Sequence, residues 1–68
     1  MTEDKKLMLA TIDSLQTAIG NFTHIGDDYL AKIPYDDYNV EGQPIRDMQR
    51  RLALITSDLS NLYRRIDS

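Results

Sequence analysis

The sequence predicts an all-α fold: a two-helix antiparallel, coiled-coil-like hairpin that dimerises into a four-helix bundle. Three observations predict it. Two heptad-spaced apolar stripes of equal length flank one helix-breaking segment. The chain has only 68 residues and no Cys, so neither a large core nor a disulfide supports a lone hairpin.

The first stripe appears on stepping in alternating strides of four and three, through Met8, Ile12, Leu15, Ile19, Phe22, Gly26, Tyr29 and Ile33. Residues so spaced line one side of a helix, which we expect at about 3–33. Gly20 and Gly26 oppose it, each costing about 1 kcal/mol relative to Ala. A break near Gly20, with Thr23 capping a second short helix, is the competing reading. Because the stripe stays in phase through Phe22 and Tyr29, one bent helix is expected.

Pro34 disfavours the α region at Ile33 and ends that helix. Gly42 and Pro44 then bracket a restart, with Pro44 suited to a first helical position. Residues 34–43 are expected to form a loop, long for a helix connection.

The second stripe runs Ile45, Met48, Leu52, Ile55, Leu59, Leu62 and Ile66, and predicts a helix at about 44–66. Both stripes extend for roughly 31 Å. Folded back antiparallel in a single domain, they set Ile33 near Ile45 and Ile12 near Ile66.

With Ile12 and Ile45 at heptad position a, the two flanks of the stripe differ in chemistry. The e flank carries Leu9, Gln16, Thr23 and Leu30 from helix one and Gln49, Thr56 and Tyr63 from helix two, with no charge among them. The g flank mixes Thr11, Ala18, Ile25 and Lys32 with Arg51, Asp58 and Arg65, as expected where a surface meets solvent. The e flank is therefore the expected contact face, either for a second copy or for helices of another protein.

Two further surfaces are candidates for partner binding. Tyr29, Tyr35 and Tyr38 gather near the connection with Asp27, Asp28, Asp36, Asp37 and Glu41, forming an aromatic, acidic tip. Tyrosine is a common interface anchor, and Tyr38 is expected to be the most exposed of the three. Arg50-Arg51 and Arg64-Arg65 repeat two heptads apart, about 21 Å along one side of helix two. With Arg46 they form a ridge suited to phosphates or an acidic protein.

Charge limits the nucleic-acid reading. The net charge is −3, divided between −5 in residues 1–43 (three Lys, eight Asp and Glu) and +2 in residues 44–68 (five Arg, three Asp). An acidic chain is a poor sequence-independent binder of phosphates, and only the second half is a candidate.

Sites for chemistry are sparse. Asp37, Asn39, Glu41 and Gly42 resemble the opening of an EF-hand calcium loop, but Met48 stands where the closing Glu belongs. His24 is the only histidine and falls at an outward position beside no nucleophile. No Gly-rich phosphate loop or nucleophile elbow is present. We therefore expect no catalysis, no cofactor, no metal and no small-molecule substrate.

The apolar stretch Leu7–Ile12 is too short, and its front too acidic, for a secretory signal, and no run approaches the ~18 apolar residues of a membrane span. Together with the absence of Cys, this leads us to expect a cytoplasmic protein without a membrane role. The expected function is that of a small adaptor, inhibitor or cochaperone-like module that binds a protein partner through a helical bundle, and is likewise expected to homodimerise. The alternative is a dimeric hairpin regulator binding RNA or DNA through the arginine ridge.

Overall fold

The computed structural model describes residues 2–68, with Met1 outside the described residues. Two helices account for most of the chain: α1, Glu3–Lys32, and α2, Gln43–Asp67. They form a rod 52 × 15 × 13 Å.

α1 begins where Thr2, in an extended conformation, accepts the Lys5 N–H on its hydroxyl at 3.2 Å. Glu3 and Asp4 place negative charge at the helix's positive end, and Lys32 sits in the last turn. The helix is continuous through Gly20 and Gly26, so the break near Gly20 does not occur. It stops at Ile33, whose ψ of 149° is the extended conformation that a following proline favours.

The expected loop is largely helical instead. Only Ile33 and Pro34 are extended, after which Tyr35–Asp37 form a 3₁₀ turn and Tyr38–Gly42 a π turn that runs directly into α2. The proline at the start of α2 follows backbone that is already helical, and the wider π turn before it, closed by the Gln43 N–H on the Tyr38 carbonyl, accommodates a residue with no N–H to donate. Gly42 does not break the helix either, since its φ of −69° is ordinary helical geometry. Its role is spatial: a Cβ there would stand 2.7 Å from the Tyr38 ring.

The helices meet along a different seam from the one expected. Besides Lys5 and Ser60, the shielded positions on α1 and its C-cap are Leu9, Ile12, Gln16, Ile19, Thr23, Gly26, Leu30 and Ile33; on α2 they are Ile45, Gln49, Leu52, Thr56, Leu59, Tyr63 and Ile66. These are heptad positions a and e, not a and d. The register also shifts. Ile45 lies against Gly26, with its Cγ2 3.4 Å from the position of a Gly26 Cβ, and not beside Ile33.

Side-chain size and polarity explain the choice. Gly26, Thr23, Thr56 and Ser60 let the backbones approach, and the two glutamines of the seam find partners across it. The Gln49 amide donates to the Thr23 carbonyl and to Asp27 Oδ1, both at 3.1 Å. The Gln16 amide donates to Ser60 Oγ at 2.9 Å and to the Thr56 carbonyl at 3.4 Å. No buried side-chain polar atom among the described residues lacks a partner, so the seam bears polar groups without an unmet desolvation cost.

Candidate interaction face

A seam built from a and e leaves the d positions outside it. Met8, Leu15, Phe22 and Tyr29 on α1 and Met48, Ile55 and Leu62 on α2 are each 39–50% exposed. In an antiparallel pair like flanks align with like, so both rows lie on the same side of the rod. They form a continuous uncharged strip of large apolar side chains. A soluble monomer rarely shows so extended an apolar surface.

The strip contains a receptor-like depression. Phe22, Ile25, Gly26, Tyr29 and Ile45 enclose an open hollow of about 350 Å³ whose exposed lining is entirely apolar. Gly26 adds no side chain to it, and a Cβ there would stand 2.8 Å from the Gln49 amide nitrogen and 3.4 Å from Ile45 Cγ2. A second open hollow, of about 480 Å³, lies near the end of α2 among Asp58, Asn61, Leu62, Arg64 and Arg65. It borders the strip through Leu62.

The expected e-flank contact face is corrected by this arrangement. Leu9, Leu30 and Gln49 are buried, and Thr23, Thr56 and Tyr63 are half-buried, all within the hairpin's own seam. Heptad counting alone treats d and e as equivalent neighbours of a. The discriminating signal was the pair of glutamines, with small residues nearby, which suits a close intramolecular contact better than an open docking surface.

The tip is only partly as expected. Tyr35 is 90% exposed, whereas Tyr38 is 37% exposed because its ring lies over Gly42, so Tyr35 and not Tyr38 is the most exposed tyrosine. Tyr29 donates its hydroxyl to Glu41 Oε2 at 2.7 Å, tying α1 to the π turn. That bond, with a minor contribution from burial and the charges of Glu41 and Asp37, raises the Tyr29 pKa above its ordinary 10.0.

The arginine ridge is partly engaged. Arg46 reaches Asp27 across the hairpin at 2.8 Å and Gln49 Oε1 at 3.0 Å, and the Tyr38 hydroxyl and Asp27 raise its pKa further. Arg50 pairs with Asp47 one turn away at 3.0 Å. Arg51, Arg64 and Arg65 are exposed and make no ion pair among the described residues. His24 stands in solvent with Asp28 3.8 Å away.

The calcium-loop resemblance does not extend to conformation. Asp37 ends the 3₁₀ turn while Asn39 and Glu41 lie within the π turn, and no group of three or more His, Cys, Asp or Glu among the described residues is placed to hold a metal ion. No described helix is long and apolar enough to cross a membrane. Compared with known proteins, the chain matches no family model, no curated protein and no solved structure.

Proposed function

We propose that this chain is a small non-catalytic protein–protein interaction module, adaptor- or inhibitor-like, that works by completing a four-helix bundle. The observation that carries the reading is the strip of seven exposed d-position side chains without a charge among them. Water leaves apolar surface at roughly 25 cal/mol per Å². Two further helices laid along the strip would convert a single-layer seam into the closed core that a chain of this size needs.

The arginine-ridge reading gains less support. Two of its five arginines, Arg46 and Arg50, already face carboxylates, and phosphate binding would have to displace those partners.

Capture from the native host with crosslinking and mass spectrometry tests the proposal when wild type is compared with Phe22→Glu/Ile55→Glu and with Arg50→Glu/Arg64→Glu. The expected result is a protein crosslinked to d-strip residues, lost in the first variant and retained in the second. Retention in the first variant and a salt-sensitive loss in the second would instead favour nucleic acid.

A further inference from the structure

We infer that the strip is occupied by a second copy of this chain, related by a twofold axis perpendicular to the rod, with the two connections at opposite ends. The inference rests on the d strip being the docking face. Its own support is that the hairpin's register sets the midpoints of the two apolar rows level with each other.

The α1 row of Met8, Leu15, Phe22 and Tyr29 is centred between Leu15 and Phe22, while the α2 row of Met48, Ile55 and Leu62 is centred on Ile55. Gln16, bonded to Ser60 and to the Thr56 carbonyl, sets those two centres at the same level of the rod to within about one turn. A single axis therefore serves both helices. It lays α1 on α1 and α2 on α2, with Leu15 against Phe22 and Ile55 against Ile55 of the second copy.

Charges on the rim match the same axis. Arg51 falls opposite Asp58 of the second copy, twice over by symmetry, and Asp4 opposite Lys32. Arg51 has no ion-pair partner within the described residues of its own hairpin.

A dimer with both connections at the same end lays α1 on α2 and loses this match. Arg51 then falls beside Ile25 and Asp58 beside Ala18. It also stacks two tips in each of which Asp27, Asp28, Asp36, Asp37 and Glu41 outnumber Lys32 and Arg46. At the opposite end Lys5, Lys6, Arg64 and Arg65 outnumber Glu3, Asp4 and Asp67, so the crossed arrangement sets unlike ends together. A face of 52 by 15 Å offers each copy on the order of 800 Å², the size of a standard specific interface.

Two measurements on the purified chain test this. The first is the solution mass, expected at twice 7.8 kDa. The second is the distance between spin labels on a Tyr35→Cys variant, a site 90% exposed at the tip and away from the strip, in a chain with no other Cys. Crossed tips lie on the order of 50 Å apart, matching the 52 Å rod.

Arg51→Asp should weaken the dimer about tenfold, and adding Asp58→Arg should restore it. A mass of one chain at every concentration overturns the second copy as occupant while leaving the docking face to the capture experiment. A dimer with tips within about 20 Å overturns the crossed arrangement, since two hairpins side by side are roughly that wide. A dimer indifferent to both Arg51→Asp and Ile55→Glu overturns this inference and also denies the strip as the contact.

Discussion

Gly20 and Gly26 occupy one helix but different surroundings, which gives opposite expectations for the same substitution. Nothing lies within 4 Å of a Cβ built on Gly20, so Gly20→Ala should stabilise the fold by about 1 kcal/mol through helix propensity alone. At Gly26 the added carbon would stand 2.8 Å from the Gln49 amide nitrogen. That flexible amide can move, but only by giving up Thr23 and Asp27. Losing two part-buried hydrogen bonds at about 1 kcal/mol each outweighs the propensity gain, and a net loss of about 1 kcal/mol is expected. Denaturant unfolding checks both, and Gly26→Ala should become stabilising once Gln49 is already Ala.

Tyr29 gives the residue scale a pH signature. Its pKa lies above 10.0 in the folded chain, so the bond to Glu41 contributes fully below about pH 10 and is lost as pH rises through the higher folded value. In a ring-resonance titration by NMR, Glu41→Gln should return Tyr29 toward 10.0. An unmoved titration would mean that the Glu41 contact is not the cause.

At the scale of elements, both helices were legible because their signals are local. Heptad spacing predicted two helices, and two are present, α1 and α2, with Pro34 marking where α1 stops. The connection was misread for an equally local reason. Pro, Gly and Asp enrich loops, yet Pro44 lies in a first helical turn and Gly42 has helical φ, so neither interrupts the backbone here. Asp37 donates its N–H to the Pro34 carbonyl at 3.0 Å, which starts the helical turns immediately after the two extended residues. The start of α1 is the simplest element-level test. Thr2→Ala removes the acceptor for Lys5 N–H and should cost about 1 kcal/mol, with faster amide exchange confined to the first turn.

At the scale of the molecule, what could not be read was which neighbour of position a turns inward. Apolar d residues and uncharged e residues both satisfy a binary pattern, and the decision lay in three-dimensional fit. Gln16 and Gln49 have cross-helix acceptors, Gly26 has space for one of them, and the large d side chains have none of the seam left to fill. The outcome separates two jobs that the sequence merges: the e row closes the hairpin, and the d row is available to something else. Charge placed in the two rows should then act differently. Thr56→Glu, inside the seam, should lower the helicity of the hairpin itself.

The complementary substitution, Ile55→Glu, places a charge in the d strip, and its mass is to be measured by sedimentation beside wild type over a range of concentrations. Wild type is expected at twice 7.8 kDa and the variant at the mass of a single chain. A variant as associated as wild type would contradict this, because the d strip would then not be the face that this protein uses.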